Sequence, residues 1–374
     1  MPKVCVMSSV HVSTDTRIYH KEIISLSKAG YEVVFLNKDC TRVDGHGVQF
    51  KKVKMPSSRL ARIIFAPTKM FICAFKEKAD IYNFHDPELI FVGAFLALMG
   101  KKVIYDVHED VPRDILGKEY IKPHLRKIIA STFEFFEKNC AKLFVMNVVA
   151  APFIKDAFEK YKCSVICITN YPKLDEFALE SDYVDKKENT ACYVGGLEEF
   201  RGIYELIEAI WISKGVLELG GSFSDEAYEK KCLNNPGWNK VNYHGYVNRE
   251  ELAKITTSSL VGMLPLLPRP NHYNAMPNKM FEYMAAGIPI IASDFPYWRK
   301  MLERGGCGLC VDPTNPEAIA KAINHLIENP TLARKMGERG RELVLNKYNW
   351  NVEEKKLLKL YQLILEKKGG KKHE

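Results

Sequence analysis

From end to end, short runs of β-branched and aromatic residues alternate with stretches whose apolar residues recur every three or four positions. That rhythm leaves few folds open. Strands separated by helix-length segments pair in parallel, with helices on both faces of the sheet. In the first half the strand runs are KVCVMSS, VVFLN, VQFKKV, IYNFHD, KVIYDVHE and KLFVMN. In the second half they are ACYVGG, VLELGGS, VNYHGYV, LVGMLPLL, PIIASDF and GLCVDP. Between them lie helical patterns such as RIYHKEIISLSKAG, which stops on Gly30. The rhythm breaks at YPKLDEFALESDYVDKKENT, which is polar, acidic and weakly periodic. The expected fold class is therefore α/β, with two doubly wound parallel-sheet domains at 1–174 and 191–348. A linker at 175–190 joins them, and a helix and tail follow at 349–374. A chain of 374 residues gives each domain enough length to bury a core.

Charge and cysteine usage narrow the setting. The net charge is +8, and the excess sits in the first half: 27 Lys+Arg against 18 Asp+Glu in residues 1–174, then 27 against 28 in 175–374. A basic half suits an anionic substrate, an anionic membrane surface or a nucleic acid, and equally an ordinary solvated surface. Ten cysteines, scattered through apolar segments such as those of Cys5, Cys73 and Cys192, read as reduced thiols in a cytosolic protein. Cys307 and Cys310 have redox-motif spacing but enter a strand instead of opening a helix, so they read as structural. The opening residues do not read as a secretory signal. The longest apolar run, LIFVGAFLALMG at 89–100, is too short for a bilayer and reads as a buried helix.

Open α/β sheets bind ligands at the carboxyl ends of their strands, so polar residues just after strands are the candidates. After the first strand, SSVHVSTDTRIYHKE contains no glycine, whereas a dinucleotide enzyme would show G-x-G-x-x-G there. That argues against an NAD or FAD enzyme. Asp15 reads as a helix N-cap or as a ligand group, and Arg17 and Lys21, one turn apart, as cations for an anionic acceptor. His85 in YNFHDPELI and His108 in YDVHED end strands beside acids, where an imidazole can move a proton near neutrality or serve as a satisfied structural group. No third ligand stands at metal spacing, so no metal is expected. In the second half YVGGLEEFRG runs from a strand through Gly195 and Gly196 to a helix. Glycines let a backbone approach a ligand closely, and Arg201 at the helix start makes a diphosphate clamp. PNKMFEYMAAGIPIIASD puts Pro277 in a helix's first turn and amides around Asn278 toward an anion. Lys279 adds charge, and Glu282 one turn in accepts from ligand hydroxyls or serves as a capping acid. The strand that follows is apolar throughout because it belongs at the centre of a sheet.

VGGLEEFRG, PNKMFEYMAAGIPIIASD and GLCVDPTNPEAIAKAI, in that order, resemble GT-B retaining glycosyltransferases of family 4. DTRIYHKEIISLSKAGYEV and HDPEL…GKKVIYDVHED resemble a branch that works in bacterial polysaccharide and lipid-linked glycan assembly. The resemblance covers nearly the whole chain. It implies two Rossmann-like domains facing a cleft, acceptor on the first and nucleotide-sugar donor on the second, with the final helix crossing back to the first. It implies a UDP- or GDP-linked co-substrate, no other cofactor, no metal and retention at the anomeric carbon. Arg201 would bind the diphosphate and Glu282, the second Glu of E-x7-E, the ribose. His85 would stand near the reacting sugar, and the backbone of Val247 near the base. Two departures follow. Gly196 stands where the family commonly has Arg, so the clamp is either weaker or completed by Lys279 or Arg17. Asn274 stands where the first Glu of the motif falls, which changes the donor preference. The acceptor would be a glycan or a lipid-diphosphate-linked glycan at the cytoplasmic membrane face, and no nucleic acid is expected. SSRLARIIFAPTKMFICAFKEK at 57–78 would rest on anionic headgroups or form an ordinary surface helix. Competing readings are a nucleotide-sugar 2-epimerase, which the Gly195–Gly202 turn does not support, and a degenerate nucleotide-binding subunit, against which Arg201 and Glu282 speak.

Overall fold

Every strand pairing among the described residues is parallel. The computed structural model describes residues 1–39, 46–54, 59–118, 121–177 and 187–366, without the side chains of 59–65. Positions 57 and 58 of the expected headgroup-facing segment, 178–186 of the expected linker and the tail 367–374 lie outside the described residues. The first sheet holds β1 (Lys3–Met7), β2 (Glu32–Asn37), β3 (Gln49–Lys52), β4 (Ile81–Phe84), β5 (Lys102–Val107), β6 (Met146–Val149) and β7 (Val165–Cys167). Its order is β3-β2-β1-β4-β5-β6-β7. The second holds β8 (Lys187–Val194), β9 (Val216–Gly220), β10 (Val241–Gly245), β11 (Ser259–Leu264), β12 (Ile290–Ser293) and β13 (Gly308–Val311), in the order β10-β9-β8-β11-β12-β13. In each sheet the winding reverses once, between β1 and β4 and between β8 and β11, and those reversals are where open α/β sheets hold ligands. As expected for a strand covered on both faces, β12 is wholly buried between β11 and β13.

The chain divides into two compact units, 1–170 with 351–374, and 171–350. The second unit starts at 171, four residues ahead of the expected linker, and takes the described part of that linker into itself. Phe177 is buried in its core, and Lys187 already pairs with Ser259. The acidic composition of that stretch masks both contacts. The helix Trp350–Glu366 returns to the first unit: Glu353 accepts from the Thr169 amide at 3.1 Å, and Lys102 Nζ donates to the Ile364 carbonyl at 2.7 Å.

Three local expectations change. The segment after β1 opens with wide turns in Ile18–Ile23, where the Glu22 amide bonds the Arg17 carbonyl at 3.0 Å, before an α-helix at Ile24–Lys28. The five-residue spacing lets Arg17, Lys21 and Glu22 all face inward. The run 89–100 forms the helix Ile90–Leu98, but only one face is buried, since Phe91, Phe95 and Leu98 are exposed. The short edge strand β7 was not foreseen. Cys307 and Cys310 carry free thiols pushed up by burial to about 11 and about 12, in keeping with a structural role.

Candidate functional site

At the second sheet's winding reversal, β8 is followed by Gly195, whose φ of +147° is open to glycine and strained for other residues. Its amide bonds the Gly220 carbonyl at 2.9 Å, and the next turn is held by Tyr193 Oη donating to the Gly196 carbonyl at 3.0 Å. Chain crowding enforces the glycines. A Cβ on Gly202 would sit 2.0 Å from the Pro265 carbonyl oxygen, and one on Gly221 1.9 Å from that of Gly195. Val247, between β10 and the helix Arg249–Ser258, packs its methyls toward Gly220, which places it beside the same turn.

Against this turn lies the start of the helix Asn278–Ala285, which no side chain caps. Pro277 is the residue just before the helix, not within its first turn as expected, and extended backbone suits it there. Lys279 Nζ lies 2.3 Å from where a Gly195 Cβ would stand and 5.1 Å from the centroid of the Tyr193 ring. This ammonium makes no hydrogen bond or ion pair among the described residues. Burial lowers its pKa to about 8, with Arg201 adding to the effect and Glu282 and Glu198 opposing it. A cation without a direct partner beside an uncapped helix start is a site for an anion.

Arg201 stands in a different state. It pairs with Glu198, three residues earlier, and its guanidinium lies 5.2 Å from the Phe200 centroid. Arg269, which the sequence reading missed, approaches the same ring at 5.0 Å. The Glu198 carboxylate also fills the space beside Gly196, 2.7 Å from where a Cβ would lie. An arginine at that position would have to displace it. Of the two residues expected to complete the clamp, Lys279 is at the turn and Arg17 belongs to the other unit.

Glu282 is buried and accepts from Arg249 Nη1 at 2.6 Å, while Arg249 also pairs with Glu176. Burial works against the Arg249 charge, but the two carboxylates outweigh it and raise its pKa. Neither Arg249 nor Glu176 was singled out from sequence, although a base at the start of a helix after VN is a readable signal. Asn274 and Asn278 are exposed, Asn274 in the loop between β11 and the Asn278–Ala285 helix.

The first sheet's reversal carries a second cluster. His85 follows β4 and is fully buried, with Nδ1 3.1 Å from His108 Nε2 and Nε2 4.0 Å from Glu22. Burial lowers its pKa to about 4 against the pull of Asp106 and Asp86, and lowers that of His108 as well, so both imidazoles are neutral at pH 7. Only His108 of the two keeps exposed surface. Asp86 accepts from Ser8 Oγ at 2.9 Å and the Ser9 amide at 2.5 Å, which ties the first loop to β4.

Two expected acceptor ligands, Arg17 and Lys21, are corrected here. Arg17 is buried, with Nη2 on both Asp106 oxygens at 2.9 and 3.2 Å and Nη1 on the Ile168 carbonyl. Lys21 is buried and donates to Asn170 Oδ1 at 2.6 Å. Asp15 accepts from the Arg17 and Ile18 amides at 2.8 and 2.9 Å, so its capping role is the one observed. Burial tends to raise the Asp15 pKa, but His11 and the two amides outweigh it and hold it at about 2. The missing third metal ligand is also corrected. His85, Asp106 and His108 offer ligand atoms within 4.8 Å of one another, Asp106 being hidden inside a strand run. Arg17 already forks onto that carboxylate, so the cluster holds its own counter-charge.

Residues 176–343 match the family model Glycosyl transferases group 1, a span that includes the Gly195 turn, Lys279 and Glu282 but neither histidine. Uncharacterized glycosyltransferase MJ1607 of Methanocaldococcus jannaschii is 26% identical over 191 residues, 50% of this chain. The match spans about half of that relative's length, 48%. The capsular polysaccharide biosynthesis glycosyltransferase CapM of Staphylococcus aureus is 23% identical over 331 residues, covering 81% of this chain and 82% of CapM. Sucrose-phosphate synthase from Thermosynechococcus elongatus superposes with a TM-score of 0.79 at 19% identity over 98% of this chain and 100% of that one. Anabaena Alr3699/HepE, in complex with UDP and glucose, superposes with a TM-score of 0.71 at 15% identity over 97% and 100%. The structural likenesses show two Rossmann-like domains of the GT-B fold. The family model and the relatives support a glycosyltransferase family and give no support to an epimerase.

Proposed function

We propose that this chain is a retaining, metal-independent glycosyltransferase. It moves a sugar from a UDP- or GDP-linked donor to a glycan or lipid-linked glycan in cell-surface polysaccharide assembly. The observation that carries the reading is the Lys279 ammonium lodged against the Gly195–Gly196 turn, beside an uncapped helix start at the winding reversal of the second sheet. Charge that develops on a departing diphosphate needs positive groups held in a partly dry site, and Lys279 stands at this turn unpaired among the described residues and ready to supply one. Lys279 is the primary cation. Arg201 joins it when an incoming phosphate draws it from Glu198. Glu282, oriented by Arg249, receives the ribose hydroxyls, and the loop at Val247 faces the base. His108, oriented by His85, serves the acceptor in its neutral form. The UDP held by Alr3699/HepE and the capsular role of CapM support the donor and the pathway class.

The test is a thermal-shift panel of UDP, GDP, ADP and CMP, followed by assay of nucleotide release from the matching sugar donor with and without glycan acceptor. Ligand at a hundred times its Kd stabilises by about 2.7 kcal/mol. UDP or GDP should raise the melting temperature, and acceptor should accelerate release. A flat panel overturns the reading. Inversion of the free nucleotide sugar without acceptor would mark an epimerase, and binding without turnover a degenerate subunit.

A further inference from the structure

His272 lies in the loop between β11 and the helix Asn278–Ala285, buried between exposed Asn271 and Tyr273. That loop is pinned to the second unit at three places. Ser293 Oγ donates to the Leu266 carbonyl at 2.6 Å, the Leu267 amide to the Phe200 carbonyl at 2.9 Å, and Trp298 Nε1 to the Ala275 carbonyl at 2.7 Å. Within the loop, His272 Nδ1 stands 2.7 Å from the Leu267 carbonyl oxygen. A carbonyl can only accept, so Nδ1 carries the hydrogen. Burial lowers the ring's pKa. The Leu267 bond opposes this and the charges of Arg269 and Arg201 add to it, so the ring is neutral at pH 7. A neutral imidazole with its hydrogen on Nδ1 has a lone pair on Nε2. Nε2 makes no hydrogen bond among the described residues and keeps contact with solvent.

The surroundings say what this lone pair meets. The His272 ring is 5.5 Å from that of Phe200, which also lies within 5.2 Å of the Arg201 guanidinium and 5.0 Å of that of Arg269. The site residues thus form a row. Glu282 is one helical turn from Lys279, Lys279 stands at the Gly195 turn and feels the charge of Arg201, and Arg201 is joined to His272 across Phe200. A nucleotide sugar is a row of the same kind: ribose, diphosphate, sugar. With the ribose at Glu282 and the phosphates between Lys279 and Arg201, the sugar falls at His272. The chemistry agrees. A phosphate oxygen offers only lone pairs and is repelled by an unprotonated Nε2, whereas a hydroxyl can donate to it.

We propose that His272 is a specificity residue for the transferred sugar, its Nε2 accepting a hydrogen bond from one of that sugar's hydroxyl groups. The inference rests on the donor reading above and adds to it the group that reads the sugar. The Leu267 carbonyl fixes the tautomer and the pinned loop holds the acceptor atom in place, so little ordering is left to the binding step.

The experiment is calorimetric titration of the wild-type chain, H272A and H272N with UDP, GDP, UDP-glucose, UDP-galactose, UDP-N-acetylglucosamine and GDP-mannose. Asparagine keeps an N–H for the Leu267 carbonyl but has nothing where Nε2 stood, so it separates a loop tie from a ligand contact. Both variants should weaken whichever sugar conjugate the wild type binds about fivefold, the worth of one hydrogen bond, and leave the free diphosphate within about twofold. Monodeoxy forms of that conjugate locate the hydroxyl. The form that lacks it should bind the wild type more weakly than the parent does, and should lose nothing further in H272N. Nitrogen-15 spectra of the histidine-labelled chain should show the His272 hydrogen on Nδ1, with the Nε2 signal moved by the conjugate and not by the free diphosphate. A hydrogen on Nε2, a loss in H272A that H272N restores, or equal losses for conjugate and free diphosphate would overturn the assignment and leave the donor reading standing. If neither nucleotides nor conjugates bind, the donor reading falls and the assignment falls with it.

Discussion

Lys279→Gln, set against a pH series on the unaltered chain, probes the charge on which donor binding depends. Four groups bear on the ammonium: Tyr193 beneath it, Arg201 from the turn, Glu282 on its own helix and Glu198 beside the glycines. Burial and Arg201 outweigh the two carboxylates and set its pKa at about 8. A diphosphate binds the protonated form. The protonated fraction in the free protein falls from about nine-tenths at pH 7 to about one-tenth at pH 9, which raises the donor Kd about tenfold, or ~1.4 kcal/mol. Isothermal titration with a nucleotide sugar at half-unit pH steps measures this directly. Lys279→Gln should bind about tenfold more weakly at pH 7 and show no slope. Stability runs in the opposite sense. The unfolded lysine holds its proton up to its ordinary value of 10.5, so the free protein gains stability as pH rises from about 8 toward that value. Lys279→Gln, having no charge to bury, should be the more stable chain at pH 7, with the difference closing above pH 10. A wild-type Kd that is constant from pH 7 to 9, or a glutamine variant with the same slope, refutes the assignment.

Arg249→Gln frees Glu282 from its 2.6 Å contact and should raise the donor Kd roughly tenfold, since a hydrogen bond to a charged group is worth about 1.5–3 kcal/mol. Arg249→Lys should recover part of the loss, and an unchanged Kd in the glutamine variant would remove Arg249 as a positioning residue. His85→Ala and His108→Ala should each lower kcat about a hundredfold while donor Kd stays within about twofold, as expected for an imidazole that serves proton transfer and the one that orients it. A loss confined to donor binding would contradict that division. Glu137→Gln should raise the melting temperature. Burial lifts the Glu137 pKa to about 8, so the wild-type chain loses stability as pH climbs from 4.5 to 8, and the advantage of Gln should widen over that range. A gain independent of pH would show that the carboxyl's ionisation is not its cause.

The two sheets were legible because a parallel strand buried on both faces leaves an apolar run, as at Ile290–Ser293. β7, three residues long and only half-buried at a sheet edge, leaves no such run. The Gly195 turn and Lys279 were legible for a similar reason, since glycine pairs and a basic helix start are local patterns. Arg17 and Lys21 were misread because a basic side chain after a strand looks the same whether it meets a ligand or a buried acid. What decided their fate was Asp106, 89 positions from Arg17, and Asn170, 149 positions from Lys21. Asp106 itself was concealed inside KVIYDVHE, where its neighbours speak only for a strand. The partner of Glu282 was missed on the same grounds, because Arg249 lies 33 residues before it.

The wide turns at Ile18–Ile23 make segment length a control on chemistry. Such a turn is an α-helical one with a single residue inserted, and each α-helical residue advances the helix by about 100°. Removing one residue there would turn the five-residue bonds into ordinary four-residue ones and change which side chains of the segment face inward. Arg17 could then no longer reach Asp106 while Glu22 kept its place under His85. One residue's worth of chain holds those three side chains in phase, and a homologous segment shorter by one would need a different set of groups at this strand end.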